Sequence, residues 1–308
     1  MNIKGKDFIN LEDFTKEELH ELIDLASDLK AKIKSGEQLD ICKNKTLLMY
    51  FEKPSLRTRL SFETGINKLG GSALFITKAE IDPGKRESVA DTARVMSKFV
   101  DALTIRTFAH EDIEEFAKWA SVPVINALTD KSHPCQIMAD ILTIKEYFGD
   151  VKGKKLAYVG DGNNVLHSLL IGCSMFGMDI SVATPEGYEA PEDAVKLAKK
   201  YASETGSKVE IYRDAKDAVK DANVIYTDTW TSMGQEAEAN IRRIVFRNYQ
   251  INNELTALAA ENHIVMHCLP AHKGEEIDSE TFEKYSEVLF NQAENRRYAQ
   301  MAVMAAIM

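Results

Sequence analysis

The chain has 308 residues, of which 44% are hydrophobic and 28% charged, and its formal net charge at pH 7 is −10. That length exceeds one ordinary hydrophobic core and predicts two domains of about 150 residues each. The acidic balance argues against a nucleic-acid or anionic-membrane partner, although it is compatible with a local basic pocket.

Cysteine usage and the N-terminus indicate the compartment. The four cysteines show no paired spacing, which favours reduced thiols over a disulfide framework. The segment Met1-Asn-Ile-Lys-Gly-Lys6 lacks the apolar core of a secretory signal peptide. No apolar run approaches the about 20 residues that a membrane span needs. We therefore expect a cytoplasmic protein.

Strands and helices are predicted to alternate along the first half. An opening helix follows the capping box Thr15-Lys-Glu-Glu18. Apolar runs at 46–51, 73–77, 102–107 and 122–128 predict strands, and amphipathic segments at 57–69, 88–100, 112–120 and from His133-Pro134 predict the helices between them. The helix at 57–69 is expected to bury Leu60, Ile66 and Leu69. This rhythm predicts right-handed crossovers and a mostly parallel sheet.

The same rhythm is predicted to restart after a polar joint at 150–155. Predicted strands lie at 155–160, 180–184, 209–212, 224–228 and 264–268, followed by a strand-like Val288-Leu289-Phe290 and a helix at 293–307. The pattern predicts an α/β fold of two doubly wound parallel-sheet domains, 1–148 and 149–292. We expect 293–308 to pack back on the first domain and ligands to bind in the cleft between the two.

Polar, charged or thiol residues occur at six of these strand ends. They are Ser55-Leu-Arg-Thr58, Arg106, His133-Pro-Cys-Gln136, Asp161-Gly-Asn-Asn164, Asp228-Thr-Trp-Thr-Ser-Met-Gly234 and His267-Cys-Leu-Pro270. The first three are cationic and hydrogen-bonding, which suits a phosphate and a carbonyl oxygen. The last three carry an acid, an amide and a thiol, which suits an amino acid or an amine.

The first of these segments is predicted to form a phosphate site. Ser55, Arg57 and Thr58 would lie on the first turn of a helix that follows a strand. Unpaired backbone N–H groups and the positive end of the helix dipole collect at such a turn. The alternative is an N-cap serine followed by solvated arginines.

Four motifs resemble the aspartate/ornithine carbamoyltransferase family. They are Ser-x-Arg-Thr-Arg from Ser55, His-Pro-x-Gln from His133, Asp-x-x-x-Ser-Met-Gly from Asp228 and His-Cys-Leu-Pro from His267. The last two are similar to the ornithine branch, and the resemblance extends from the opening helix to Arg296. It implies transfer of the carbamoyl group of carbamoyl phosphate to the side-chain amine of L-ornithine, giving L-citrulline and phosphate in arginine metabolism. It also implies a homotrimer or a multiple of trimers, with active sites at subunit boundaries and with no cofactor or metal.

The resemblance also implies roles for individual residues. The implied carbamoyl phosphate ligands are Ser55, Leu56, Arg57, Thr58, Arg106, His133, Gln136, Cys268, Leu269 and Arg296. The implied ornithine ligands are Asn164, Asp228, Ser232 and Met233, and the implied catalytic residues are Arg106, His133, Asp228 and Cys268. Fixed donors aimed at a developing oxyanion and a leaving phosphate are the main protein contribution to such a reaction.

Leu56 departs from the family pattern, in which a threonine is usual at this position. The leucine loses a hydroxyl but keeps the backbone N–H, and we therefore expect weaker carbamoyl phosphate binding at most. Such a departure also occurs in relatives that act on acylated ornithine. A sister transcarbamylase with putrescine or acylated ornithine as its acceptor is therefore the alternative reading.

Other interpretations compete with these roles. Asp228 could be a turn-forming aspartate, Ser232–Gly234 a plain flexible loop, Cys268 a structural thiol and His133 a capping histidine. A mobile loop would also suit a lid with Gly234 as a hinge.

Three unrelated functions fit the sequence less well. A nucleotide-dependent oxidoreductase would need a third glycine where Val165 stands and an acid where Thr184-Pro185 follows the next strand. A metal site at His263, His267, Cys268 and His272 is disfavoured because four residues of strand separate two side chains by about 13 Å. A solute-binding protein would not need a phosphate site opposite an amine-binding half.

Overall fold

The computed structural model describes residues 2–308 and divides the chain into two compact units. One unit runs to Leu142 and includes Glu294–Met308, and the other comprises Thr143–Ala293. Both units are α/β structures with an all-parallel sheet. The fold class expected from the alternating pattern is confirmed.

The first unit contains four strands and the helices between them. In chain order these are α1 (Lys16–Lys34), β1 (Thr46–Phe51), α2 (Leu56–Lys68), β2 (Ser72–Thr77), α3 (Val89–Met96), β3 (Ala102–Arg106), α4 (His110–Trp119), β4 (Val124–Leu128) and α5 (Pro134–Phe148). The capping box of α1 is present: Thr15 Oγ1 accepts from Glu18 N at 3.1 Å, and Glu18 Oε2 accepts from Thr15 N at 2.9 Å. The helix therefore starts where the sequence predicts it.

Strand order in the first sheet is β2-β1-β3-β4. The connection after β1 leads to one edge of the sheet and the connection after β3 to the other. A crevice therefore opens at the carboxyl ends of β1 and β3, which is where ligands bind in doubly wound sheets. Buried apolar residues of β1, β3, α3 and α4 form a core on one face of this sheet, including Tyr50, Leu103, Ile105 and Phe116.

The second unit contains the other five strands. In chain order its elements are β5 (Lys155–Val159), α6 (Asn164–Met175), β6 (Asp179–Ala183), α7 (Glu192–Thr205), β7 (Val209–Tyr212), α8 (Ala215–Val219), β8 (Val224–Thr227), α9 (Ala239–Val245), α10 (Asn253–Thr256), β9 (Ile264–His267), α11 (Ser279–Lys284) and α12 (Ser286–Ile307), the last of which continues into the first unit. Strand order is β7-β6-β5-β8-β9, so the direction of winding reverses between β5 and β8. The second crevice therefore lies at the carboxyl ends of β5 and β8.

Two expectations from the sequence are wrong. Leu60 is 50% exposed, whereas Phe62, Ile66 and Leu69 are buried. Leu60 cannot share the buried face with these three residues. On a helix with 3.6 residues per turn, position 60 lies about 120° around the axis from position 66. The strand-like run Val288-Leu289-Phe290 is helical, as part of α12. A short apolar run fits a buried strand or a helix equally well, and here the helix continues on both sides of it.

No helix among the described residues is long and apolar enough to cross a membrane.

Candidate active site

The carboxyl ends of β1 and β3 bring the first predicted residues together. Phe51, the last residue of β1, is the register partner of Arg106, the last residue of β3. Glu52 N donates to Arg106 O at 2.8 Å and continues the pairing by one residue. The segment that leads from β1 to Ser55 therefore starts next to Arg106, whose side chain is buried.

Ser55 is the N-cap of α2. Its hydroxyl accepts from Thr58 N at 3.4 Å and donates to Thr58 Oγ1 at 2.9 Å. Leu56 is the first helical residue, and its side chain is 69% exposed, so only its backbone N–H is available to a ligand at the helix start. The N-cap interpretation of Ser55 is thus correct, and it is compatible with a phosphate site at the same turn.

The two arginines of this turn differ. Arg59 is exposed and its Nε lies 3.0 Å from Glu63 Oε2, as a solvated surface arginine would be. Arg57 is partly buried. The C-terminal helix supplies another guanidinium, since the buried Arg296 donates from Nη2 to Thr58 Oγ1 at 2.8 Å. Positive charge therefore concentrates around Thr58 rather than on the outer face of α2.

His133 precedes α5, and Pro134 occupies the first helical position, where its missing N–H costs nothing. The Thr129–Ser132 turn before it is held by Asn126, whose Nδ2 donates to Ser132 Oγ at 3.0 Å. Burial lowers the pKa of His133 well below its ordinary value, and the nearby Arg296 and Arg106 lower that pKa further. The imidazole is therefore neutral near pH 7, so it can donate a hydrogen bond but cannot act as a charged acid.

Gln136 lies in the first turn of α5 and is fully buried. Its Nε2 donates to Oδ1 of Asp140 at 2.8 Å, and its backbone N–H donates to His133 O at 3.1 Å. In the first unit, direct hydrogen bonds join Ser55, Thr58 and Arg296. Strand register places Arg106 at the end of β1. His133 lies close enough to Arg106 and Arg296 for both to lower its pKa, and it contacts Gln136 at the start of α5.

The carboxyl ends of β5 and β8 position the acid of the second unit. Asp228 follows β8 and is 8% exposed. Its Oδ2 accepts from Asn163 Nδ2 at 2.7 Å, and its Oδ1 accepts from Cys268 Sγ at 2.9 Å and from Thr229 N at 2.8 Å. The predicted pair Asp228 and Cys268 is therefore in direct contact.

The residue that positions Asp228 was missed in the sequence. Asn163 is the N-cap of α6 and accepts from Val165 N and Leu166 N at 3.0 and 3.2 Å, which directs its Nδ2 toward Asp228. The predicted ligand, Asn164, is the first residue of the helix, and its role stays a prediction. Asparagine before an apolar helix is a cap signal, and it could have distinguished the two amides.

The glycine in the segment before α6, Gly162, lies against another part of the backbone. A Cβ at this position would lie 2.0 Å from the carbonyl oxygen of Glu189. The glycine is therefore required by close approach of another backbone segment, which is a structural reason independent of any dinucleotide.

A buried chain of hydrogen bonds supports Cys268. Leu269 N donates to His267 Nδ1 at 2.8 Å, and Nε2 of the same imidazole lies 3.1 Å from Glu276 Oε1. Because Nδ1 accepts a hydrogen bond, Nε2 carries the proton and donates a hydrogen bond to the Glu276 carboxylate. The imidazole is thereby fixed in one tautomer, and it holds Leu269 at a φ of 57°. Glu276 was not identified from the sequence.

Ser232 and Met233 lie on the loop after β8. Ser232 N donates to Gln235 Oε1 at 3.2 Å, Met233 is exposed, and Gly234 adopts a φ of 95°. The structure does not bring either residue into hydrogen-bond contact with Asp228 among the described residues. Their role in holding a carboxylate stays a prediction.

Arg242 anchors the start of this loop. Its Nη1 donates to Trp230 O at 2.9 Å and lies 2.9 Å from Asp161 Oδ2, in a pair buried on both sides. Burial raises the pKa of Asp161 to about 6, although Arg242 opposes that rise. The guanidinium thus connects the segment after β5 with the segment after β8, and the sequence did not reveal this link.

Two groups of side chains have metal-ligating atoms within 4.8 Å of one another: Asp228, His267 and Cys268, and His272, Glu275 and Glu276. In the first group the Asp228 carboxylate accepts a hydrogen bond from the Cys268 thiol, and both imidazole nitrogens of His267 have hydrogen-bond partners. In the second, Glu275 Oε1 lies 2.9 Å from Arg243 Nε. These atoms have protein partners of their own.

Comparisons with known proteins agree along the chain. The family model described as aspartate/ornithine carbamoyltransferase, carbamoyl-P binding domain, matches residues 6–146, and the model described as the Asp/Orn binding domain of the same family matches residues 152–307. The chain is 52% identical over 306 residues to an ornithine carbamoyltransferase of Symbiobacterium thermophilum, covering 99% of each chain. It is 51% identical over 307 residues to that of Bacillus subtilis, covering 100% of this chain and 95% of the relative.

A solved structure shows the same similarity. The ornithine carbamoyltransferase from Pyrococcus furiosus aligns with a TM-score of 0.97 at 48% identity, covering 100% of this chain and 98% of that one.

Proposed function

The chain belongs to the aspartate/ornithine carbamoyltransferase family, and from this we propose that it transfers the carbamoyl group of carbamoyl phosphate to the side-chain amine of L-ornithine. The products are L-citrulline and phosphate. The δ-nitrogen of ornithine attacks the carbamoyl carbon, a carbon–nitrogen bond forms, and the bond from that carbon to the phosphate oxygen breaks. The protein must bind a dianion, stabilise the developing oxyanion and accept an amine in its neutral form.

The first unit is proposed to bind carbamoyl phosphate. The start of α2 offers backbone N–H groups and the Ser55 and Thr58 hydroxyls, and Arg57 and Arg296 add charge at the same turn. Guanidinium groups suit a phosphate because they donate two parallel hydrogen bonds. Arg106 would bridge the phosphate and the carbonyl oxygen.

The neutral state of His133 supports its role toward the carbamoyl group. A neutral imidazole can donate one N–H to the carbonyl oxygen without adding a titrating charge to the site. As the tetrahedral intermediate forms, charge develops on that oxygen and strengthens the bonds from His133 and Arg106. Donors fixed in advance therefore contribute more in the transition state than in the ground state.

The second unit is proposed to bind ornithine. Asp228 is the observation that carries this assignment: a carboxylate fixed by Asn163 at the crevice of the second sheet, with the Cys268 thiol 2.9 Å away. A fixed carboxylate suits the α-ammonium of an amino acid such as ornithine. Cys268 would lie near the side-chain amine, which must lose a proton because a free alkylammonium has a pKa of about 10.4.

The remaining parts of the proposal concern location and assembly. We assign carbamoyl phosphate binding to residues 1–148 with 293–308, and ornithine binding to 149–292. Asn164, Ser232 and Met233 would hold the α-carboxylate, and Leu56 N and Leu269 would contact the phosphate and the carbamoyl group. The enzyme would act as a cytoplasmic homotrimer in arginine biosynthesis.

A ureido assay with four acceptors tests the activity. Carbamoyl phosphate is supplied with ornithine, putrescine, acetylornithine or aspartate, and turnover with ornithine is expected to exceed the other three. Greater turnover with putrescine or acetylornithine would favour a sister transcarbamylase. Turnover with none of the four would reject the proposed function.

A further inference from the structure

Asp140 is fully buried and contacts Gln136, one of the proposed carbamoyl phosphate ligands. It lies one helical turn after Gln136 on α5, and both side chains are inaccessible to solvent. Its Oδ1 accepts from Gln136 Nε2 at 2.8 Å. A buried carboxylate is costly to place, so its position beneath a proposed ligand calls for a reason.

The carboxylate determines which end of the Gln136 amide points away from it. Because Gln136 Nε2 donates to Asp140 Oδ1, the NH₂ end of the amide faces Asp140 and its oxygen faces the other way. That oxygen, Gln136 Oε1, is buried and accepts no hydrogen bond from any residue at positions 2–308. A buried amide oxygen without a donor loses the hydrogen bond it had to water, which favours a ligand that supplies one.

Apart from Asp140, the polar side chains proposed to surround the ligand near Gln136 are hydrogen-bond donors. His133 is one turn away, and it lies close enough to Arg106 and Arg296 for both to lower its pKa. These donors match the carbonyl oxygen and the phosphate of carbamoyl phosphate. They do not match its NH₂ group, which needs acceptors, and Gln136 Oε1 provides one.

We propose that Asp140 is a positioning residue that fixes the Gln136 amide with its oxygen toward the carbamoyl NH₂, and that this makes the site select a carbamoyl over an acetyl group. The proposal rests on the proposed function, since it assumes that carbamoyl phosphate binds in the first unit. Acetyl phosphate has the same shape and charge but carries a methyl group in place of NH₂, so it gains nothing from the oriented oxygen.

The test compares Asp140→Asn with the wild-type protein. An asparagine can offer its own NH₂ to Gln136, so the glutamine amide is free to turn and to place a donor against the carbamoyl NH₂. We expect the KM for carbamoyl phosphate to rise about tenfold, the value of roughly one hydrogen bond. The KM for ornithine should stay unchanged.

Inhibition by acetyl phosphate and by inorganic phosphate completes the measurement. Any change of charge at position 140 alters the binding of all three anions in the same direction, so the ratio of carbamoyl to acetyl phosphate affinity is the quantity to compare. That ratio should fall in Asp140→Asn and stay at its wild-type value in Asp193→Asn, an exposed control. An unchanged ratio in Asp140→Asn overturns the proposal.

A second variant covers the case in which Asp140→Asn does not fold. Gln136→Met keeps the side-chain length and removes the oxygen, and it should lose the preference for carbamoyl over acetyl phosphate. If it keeps that preference, Oε1 is not the acceptor and the proposal fails. Wild-type turnover with ornithine is measured in the same series, so failure of the proposed function would be seen separately.

Discussion

Arg57 and Arg59 are separated by one residue and differ in what surrounds them. Arg57 is partly buried at the start of α2, whereas Arg59 is exposed and paired with Glu63. The motif that contains both arginines thus combines one partly buried side chain at the start of α2 with one on the solvent face. Substituting them singly separates the two roles.

Arg57→Ala should lower kcat by about 10²–10³-fold, the usual cost of removing one fixed donor to transition-state charge. Steady-state kinetics at saturating ornithine measures this. Arg59→Ala is the matched control and should keep near-normal turnover. A wild-type rate in Arg57→Ala would contradict its role at the phosphate.

Asp228→Asn should damage the use of ornithine alone. A charge-assisted hydrogen bond is worth about 1.5–3 kcal/mol, so kcat/KM for ornithine should fall at least about tenfold. Binding of carbamoyl phosphate, measured by calorimetry, should stay nearly intact. Asp217→Asn on the surface of α8 is the control, and equal damage to both substrates would argue against separate binding halves.

Arg242 shows how one side chain on α9 connects the loops after β5 and β8. Its ion pair with Asp161 is buried on both sides, and it also bonds to Trp230 O. The pKa of Asp161 is about 6, above its ordinary value, because burial outweighs the attraction of the guanidinium. The ionised form of Asp161 therefore costs stability above pH 6, and protonation relieves that cost as the pH falls through 6.

Arg242→Gln should destabilise the protein in a pH-dependent way. At pH 8 the variant leaves an ionised Asp161 buried without its cation, and the free energy of unfolding should fall by about 3–5 kcal/mol. At pH 5 Asp161 is mostly protonated in both proteins, so the difference should shrink. Denaturant titrations at the two pH values measure it.

Arg243→Gln provides the comparison for that experiment. Its ion pair with Glu275 is half exposed, so its loss should cost at most about 1 kcal/mol at either pH. A loss in Arg242→Gln that is as large at pH 5 as at pH 8 would show that Asp161 does not titrate near 6.

Large apolar side chains are exposed on the first unit. Leu74 on the edge strand β2 is 49% exposed and Phe99 is 78% exposed. Such residues support a contact with further copies of the chain, as the proposed homotrimer requires. An edge strand is also a place where another chain can pack.

Sedimentation equilibrium should therefore give three times the chain mass or a multiple of it. Leu74→Glu should lower that mass by placing a charge in the contact. Ile244→Glu, at a 78% exposed position of the second unit, should leave it unchanged. A monomeric wild-type protein would reject the assembly.

Features that depend on neighbouring residues could be predicted from the amino-acid sequence. Apolar runs predicted the nine strands found within residues 2–308, Thr15 and Glu18 predicted the start of α1, and Ser55 predicted the N-terminus of α2. These signals are local because a strand period, a capping box and an N-cap each involve residues within a few positions of one another. Local signals gave the wrong prediction at Val288-Leu289-Phe290, because a run of three apolar residues fits a strand and a helix equally well.

Which side chains meet became visible only in the folded chain. Asn163 rather than Asn164 contacts Asp228 across 65 residues of sequence, Cys268 reaches the same carboxylate across 40, and Arg242 finds Asp161. Strand order places these residues at one sheet edge, and strand order follows from how the whole core packs. Contacts between distant residues therefore carry no local signal, which is why the chemistry of the site was predicted by residue type and its geometry was not.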